Sequence, residues 1–463
     1  MNVIFIVADD LGWGDVGYHS DDAITPNIDD LSSKGIRLEN FYVQACCSPT
    51  RCAFMTGKYP YKVGIQRVLW PWNQHGIDPN IDLLPTYFKK ANYDTAIFGK
   101  WNLGHAQDFY LPTSRGFDYH YGTYNGSLNH YDHTYYGVHD LNENKKPVYD
   151  EGHVADLLTN KVLEKIENRD KNKEFFYYVP FNSPHAPILS PPYFDIFFQK
   201  LKDRKRASYL AMIYHFDFCI GRIVAALKKQ KILEDTLIWF SSDNGGWLDY
   251  GGSNGELSGG KANGSNLGLS EGALKGINFV YYEPWNNGTI NSNLFHAIDI
   301  FPTLTSLIDV PVESSIDGIN IAPYLNEPLK ERFLIQHLVA NEDGSMFGSC
   351  RNNDMKLIVS GEKTEFYNIK KDPFEKENLV GQFSEIEESL RSHMKESLVD
   401  YKPDPIMWYR PNGYPENFVF PKEWNSVVGK NNCIKMLSSE DRHVFDFENH
   451  SAAELLGYYN LIK

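Results

Sequence analysis

The chain opens on NVIFIVADD, seven mostly apolar residues from Asn2 to Ala8 followed by two carboxylates. A continuous apolar run of this length predicts a central strand of a parallel sheet, covered on both faces. The stretch TPNIDDLSSKG then predicts a helix, with Thr25 as N-cap, Pro26 in the first position and Gly35 as its stop. Further strand-like runs lie at residues 94–99, 174–181, 236–244 and 277–282. Helical periodicity falls between them, at 83–91, 153–166, 206–228 and 294–308. Strands alternating with helices imply an α/β fold with a mostly parallel sheet. Beyond about Asn326 the pattern changes. FLIQHL, MKLIVS and TEFYNI are short strand candidates close together, followed by an amphipathic helix near 385–398. This predicts residues 1–330 as the main domain and 331–463 as a smaller one, with a short antiparallel sheet and a helix. The last sixty or so residues, rich in Trp, Tyr, Phe and Pro, read as an ordered wrap over the main domain. No internal repeat or low-complexity segment stands out.

Composition narrows the classes. With 463 residues, 42% hydrophobic and 14% aromatic, the chain can bury a large core and is not globally disordered. Its formal net charge of −15 argues against a general affinity for nucleic acid. It leaves room for an anionic substrate in a locally positive pocket. No apolar run approaches the ~20 residues needed to span a bilayer, and MNVIFIVADD lacks the basic start and length of a signal peptide. Sequons at Asn125, Asn263, Asn287 and Asn449 suit a secreted protein, although an Asn-rich chain acquires about as many by chance.

Two strand ends are unusually polar: Asp9–Asp10 after the first, and Asp243–Asn244 after TLIWFSS. Either pair alone reads as ordinary turn chemistry. Together, beyond the carboxyl ends of parallel strands, four oxygen-bearing side chains would suit a hard cation such as Ca²⁺ or Mg²⁺. The cysteines form no such set. Cys46, Cys47 and Cys52 cluster, while Cys219, Cys350 and Cys433 are isolated, so no second pair completes a zinc site. A disulfide framework suits smaller secreted chains; a buried or nucleophilic thiol stays open. One register gives Cys-x-Pro-x-Arg through Cys47, Pro49 and Arg51, and CAFMTGK beyond it predicts a short helix ending at Gly57.

CSPTRCAFMTGKYPYKVG resembles the signature of the type I sulfatases, in which the cysteine is oxidised to formylglycine before folding. NVIFIVADDLGWGDVG, TPNIDDLSSKGIRLENFYV, GKWNLG, LPTSRGFDYHYG, SPHAP, SSDNGG, DIFPTL and FYNIKKDPFEKENL resemble further family segments in the same order, to about Leu379. GIQRVLWPWNQHGI and WFSSDNGG look closest to the arylsulfatase B, or N-acetylgalactosamine-4-sulfatase, group. The resemblance implies an alkaline-phosphatase-like fold and a sulfuric ester hydrolase acting on sulfated sugars of the glycosaminoglycan type, or on aryl sulfates. It implies one calcium ion held by Asp9, Asp10, Cys47 as formylglycine, Asp243 and Asn244. Arg51 and Lys100 match residues that stabilise formylglycine, and His185 in SPHAP matches the acid that protonates the leaving alcohol. The aldehyde hydrate would attack sulfur with one hydroxyl and eject sulfate when the other loses its proton, which serine or cysteine cannot do. A formylglycine-generating enzyme is the implied partner, and a lysosomal or extracellular setting the implied location.

Two positions depart from the family pattern. Asn102 in GKWNLG stands where the family has a histidine that assists sulfate elimination, and asparagine cannot take up a proton near neutrality. His105 is the nearest substitute in sequence. The family's sulfate-binding lysine is matched by Asn266 when LSEGALKG is aligned without a gap, and by Lys261 when an insertion is allowed in the Gly- and Ser-rich loop; the latter is preferred. Two functions therefore stand side by side: an active sulfatase, and a sulfatase-like protein that binds sulfated glycans. A phosphohydrolase of the related fold fits less well, because those enzymes pair Ser or Thr with histidine-rich metal sites.

Overall fold

The computed structural model describes residues 1–261, 268–312, 315–340 and 345–404. Its strands, in chain order, are β1 (Asn2–Ala8), β2 (Ile36–Tyr42), β3 (Asp94–Lys100), β4 (Tyr119–Thr123), β5 (Thr134–Tyr135), β6 (Val138–His139), β7 (Asn142–Glu143), β8 (Lys146–Pro147), β9 (Phe175–Pro180), β10 (Thr236–Ser242), β11 (Asn278–Tyr281), β12 (Thr289–His296), β13 (Leu334–Ala340), β14 (Met346–Arg351), β15 (Met355–Ser360) and β16 (Lys363–Asn368). Ten of these form one mixed sheet in the order β12-β2-β11-β10-β1-β9-β3-β4-β7-β8. The central strands β10, β1, β9, β3 and β4 are all parallel.

β1 is covered on both faces, as its unbroken apolar run predicts. Val3, Phe5 and Val7 enter one core, shared with Phe54, Phe301 and Leu304, while Ile4, Ile6 and Ala8 enter another, shared with Leu158, Ile213 and Ile220. The second core is roofed by the helices Val154–Glu167 and Arg204–Lys229. The latter is by length and composition apolar enough to cross a membrane, but two thirds of its most apolar window is buried within the protein. His215 on this helix meets Asp156 on the other at 2.9 Å, and Arg222 meets the same carboxylate at 3.0 Å.

Two expectations need correction. The helical reading of 294–308 fails at its start: Leu294–His296 completes β12, and the helix is Ile300–Leu307, after one short turn. The strand wins because residues 294–296 pair with Asn40–Tyr42 of β2. Thr25 occupies the cap position of the helix Pro26–Lys34, but its hydroxyl donates to Asp29 and accepts from Gly17 N instead of capping the helix.

The C-terminal expectation gains a strand. β13–β16 form an antiparallel sheet in sequential order, with the helix Ser384–Ser397 packed on β14 and β15. β14 went unread because MFGSCR lacks a clear apolar alternation. Ile335, Leu357, Phe366 and Leu390 join the same core as Val3 and Phe5. Buried ions add to this junction. Lys356 on β15 is fully buried and reaches Glu271 at 2.9 Å and Glu375 at 2.8 Å. Tyr42 donates to Glu271 at 2.6 Å. The aromatic-rich tail, Cys433, Asn263 and Asn449 lie outside the described residues. Of the other two sequons, Asn287 is exposed, but Asn125 is fully buried and donates to Asp140, so it cannot carry a glycan in this fold.

Candidate functional site

The site is assembled where the parallel strands end. Ala8 and Ser242 are in register across β1 and β10, so Asp9–Asp10 and Asp243–Asn244 leave the sheet side by side at its carboxyl edge. Asp243 N donates to Ala8 O at 3.0 Å, and Asp10 N to Asp243 Oδ1 at 3.2 Å. Asp10 adopts φ 67°, a left-handed conformation that costs a non-glycine residue energy and that clusters at functional sites. Lys100 closes β3, and His185 lies in the loop after β9. The helix Cys47–Thr56 starts with Cys47 and carries Arg51 four residues on, on the same face. Its stop is Gly57 at φ 65°, where a side chain would meet the Phe301 ring at 2.9 Å.

These residues form one buried network. Arg51 donates to Asp243 Oδ2 through Nε at 3.0 Å and Nη2 at 2.7 Å, and to the Lys100 carbonyl at 3.1 Å. Lys100 Nζ lies 2.6 Å from Asp9 Oδ2. Lys261 Nζ lies 2.6 Å from Asp10 Oδ1 and 3.6 Å from Cys47 Sγ. Asn244 Nδ2 donates to Asp10 Oδ1 at 2.8 Å, and His185 Nε2 lies 3.6 Å from Asp10 Oδ2. Single ligand atoms of Asp9, Asp10, Cys47 and His185 all fall within 4.8 Å of one another.

The electrostatics follow from burial and pairing. Burial alone would raise the Asp9 and Asp10 carboxyls, but Lys100 beside Asp9, Lys261 beside Asp10 and His185 near both hold them below the usual range. Burial and the neighbouring Asp9 push Asp243 the other way. Burial raises the Cys47 thiol to about 11, against the pull of Lys100 and Lys261, so the unmodified thiol is a poor nucleophile near neutrality. Burial also depresses the His185 imidazole, against the pull of Asp10.

A test of cation fit comes from the oxygens left over. Asp9 Oδ1, Asp10 Oδ2 and Asn244 Oδ1 are buried and have no hydrogen-bond partner. Orphaned buried acceptors are costly, and three of them on hard oxygen ligands fit a calcium-type ion.

The structure thus brings together Asp9, Asp10, Cys47, Arg51, Lys100, His185, Asp243, Asn244 and Lys261; Asn266 lies outside the described residues. Asn102 sits next to this group, but its amide is engaged: Oδ1 accepts from Ser48 Oγ at 2.8 Å and Nδ2 donates to Leu69 O at 3.0 Å. His105 has Nε2 at 2.9 Å from Pro71 O, and burial depresses it to about 4. Sequence reasoning missed Ser48 and His130. Ser48 links residue 47 to the Leu69 loop, and His130 holds the His185 main chain at 3.1 Å. Ser48 fills an unspecified position of the Cys-x-Pro-x-Arg motif, and His130 stands in no motif.

The sulfatase family model matches residues 1–310. Arylsulfatase J of Mus musculus is 35% identical over 343 residues, 71% of this chain and 56% of the relative. N-acetylgalactosamine-6-sulfatase of Homo sapiens is 29% identical over 362 residues, 70% of this chain and 65% of the relative. The chain therefore spans between about half and two thirds of these curated relatives' length. Among solved structures, Ps i-CgsB in complex with k-i-k-neocarrahexaose superposes with a TM-score of 0.81 at 28% identity, covering 88% of this chain and 95% of that one. That similarity bears out the alkaline-phosphatase-like fold, and the family model, covering most of the chain, settles kinship: the chain belongs to the type I sulfatase family.

Proposed function

We propose that the chain hydrolyses sulfate esters of sulfated sugars of the glycosaminoglycan type, N-acetylgalactosamine-4-sulfate-like, or of aryl sulfates. One observation carries this reading: Cys47, at the start of a helix, shares one buried cluster with Asp9, Asp10 and His185, with Lys261 3.6 Å from its sulfur and Lys100 paired to Asp9. The lysines suit a tetrahedral oxyanion, and the unpartnered oxygens of Asp9, Asp10 and Asn244 suit a cation that would bind it. Relatives named for N-acetylgalactosamine-6-sulfate and for a carrageenan oligosaccharide complex support a sugar substrate.

Asp9, Asp10, Asp243 and Asn244, with residue 47, would hold one calcium ion, which when bound supplies Lewis acidity toward a sulfate oxygen and toward the nucleophile. Formylglycine at position 47 would supply, as its hydrate, a nucleophile and an exit for sulfate. Arg51 fixes Asp243 and bridges to β3. Lys100 and Lys261 offer positive charge to the sulfate oxygens. His185, 3.6 Å from Asp10, protonates the leaving alcohol. Cys47 and Arg51 are 2% and 0% exposed, so a formylglycine-generating enzyme would act before the chain folds; a lysosomal or extracellular destination is proposed from the family resemblance alone. Residues 1–330 form the catalytic domain in this reading and 331–463 the smaller one.

The alternative, a sulfated-glycan-binding protein with impaired turnover, rests on Asn102, whose amide is tied to Ser48 and Leu69. One experiment separates the two. Protein from a secretory host is digested and the Cys47 peptide weighed, while sulfate release from a sulfated N-acetylgalactosamine oligosaccharide is followed. Formylglycine with catalytic sulfate release supports the enzyme; unmodified cysteine throughout overturns it.

A further inference from the structure

We propose that Trp70, Trp72 and Tyr136 form a wall that binds a sugar ring next to the sulfated one, so that the site selects an oligosaccharide over a small aryl sulfate. The proposal rests on the sulfatase reading above and deepens it. The two tryptophan rings lie parallel, 2° apart in plane with centroids at 5.2 Å, and Tyr136 meets Trp72 edge-on at 5.6 Å. Trp72 is buried behind the others, Trp70 is half-buried and Tyr136 is 37% exposed. The inner ring stiffens a surface that keeps aromatic area in contact with water. Large aromatics left at a surface in a contiguous group mark binding sites.

Two ties place this wall at the site. Leu69, next to Trp70, donates from N to Ser48 Oγ at 2.9 Å and accepts from Asn102 at 3.0 Å, which anchors the tryptophan turn to the neighbour of residue 47. Trp70 N donates to Asn73 Oδ1 at 2.7 Å and closes the turn. Tyr136 sits at the tip of the β5–β6 hairpin. The segment leading into it is fixed to the His185 loop by Ser127 Oγ, which donates to Ala186 O at 2.9 Å, and by His130. The wall thus hangs from the segments that carry Ser48 and His185. A pyranose ring presents a face of C–H groups that packs on the electron-rich face of an indole or phenol. In this arrangement Lys100 and Lys261 take the sulfate, and the wall takes the uncharged face of the adjoining sugar.

The test compares Trp70→Ala, Tyr136→Ala and Trp70→Phe with the wild type, using chondroitin 4-sulfate hexasaccharide, carrageenan hexasaccharide and 4-nitrophenyl sulfate. Binding of both hexasaccharides is also measured by calorimetry on each variant in a Cys47→Ala background. Each alanine variant should weaken binding and raise KM for at least one hexasaccharide by roughly 3- to 10-fold. Rates with 4-nitrophenyl sulfate should stay within about twofold of wild type, and Trp70→Phe should recover most of the loss. Unchanged hexasaccharide affinity in both alanine variants overturns the wall, as does an equal loss with the aryl sulfate. If the wild type hydrolyses none of the three, the sulfatase reading fails by itself. The calorimetry then still decides the wall, which falls if neither hexasaccharide binds.

Discussion

His130 Nε2 lies 3.1 Å from the main-chain carbonyl oxygen of His185. Burial holds the His130 ring down to about 3, so it stays neutral at any working pH and carries its single proton on the nitrogen that faces the carbonyl. His153 Nε2 meets the Leu189 carbonyl in the same way at 2.9 Å. The His185 loop is thus held by side chains from two other parts of the chain. His130→Ala should lower kcat by roughly 10- to 100-fold, since small misplacements of a reacting group are costly, while KM changes little. His130→Gln keeps a donor and should recover much of the rate. Steady-state kinetics with a melting curve for each variant checks this; equal loss of rate and stability in both would make His130 a packing residue only.

The orphaned oxygens of Asp9, Asp10 and Asn244 predict that calcium stabilises the fold. A ligand at a hundred times its dissociation constant adds about 2.7 kcal/mol. Wild-type protein should melt at a higher temperature in calcium than in chelator, by a few degrees. Asp10→Ala should lose most of that calcium-dependent increment, whatever it does to the baseline. A full increment in the variant, read by scanning calorimetry together with metal analysis, would remove Asp10 from the site.

Asn102 predicts where turnover stalls. A positioned base contributes about 10²- to 10⁴-fold, and an amide already bonded to Ser48 and Leu69 supplies none. Stopped-flow assays with an aryl sulfate should show a burst of alcohol followed by a slower steady phase, because loss of sulfate limits the cycle. Asn102→His should accelerate the slow phase. Rapid turnover without a burst would show that another group serves as base.

A pH dependence follows from the His215–Asp156 pair. Burial alone would depress the His215 imidazole, but the Cys219 sulfur and the Asp156 carboxylate outweigh it and raise it to about 10. The folded state therefore holds a proton that the unfolded chain releases near 6.5. The resulting stability is complete below about pH 6.5 and is lost as pH climbs through 10. Melting temperatures from pH 6 to 10 should fall across that window, and His215→Gln should flatten the slope. An unchanged slope would show that His215 does not titrate there.

The central sheet was legible because a strand buried on both faces needs an unbroken apolar run, and β1, β9 and β10 have one. Asp9, Asp10, Asp243 and Asn244 were legible because parallel strands deliver their carboxyl ends to one edge. The start of Ile300–Leu307 was not, since LFHAIDIF satisfies both periods and only the pairing with β2 decides between them. Lys261 came within reach only through a family pattern with a gap, because a Gly- and Ser-rich loop gives no spacing to count. His130 and Ser48 act through main-chain atoms and hydroxyls far apart in sequence, and no local pattern encodes such bonds.

The burial of Lys356 between Glu271 and Glu375 has a consequence for truncation. A fragment ending near residue 330 would keep Glu271 and lose Lys356, together with Arg351 at 3.5 Å. Removing one partner of a buried ion pair costs about 3–5 kcal/mol, a large part of the roughly 5–15 kcal/mol that holds a domain folded. Glu271 also starts the turn Glu271–Leu274, where Leu274 O accepts from Val43 N and Ala273 O from Gly245 N. Val43 lies just before the helix Cys47–Thr56, and Gly245 just after Asn244. The small sheet therefore acts as a keystone, its charge locking both stretches of chain that lead to Cys47 and from Asn244.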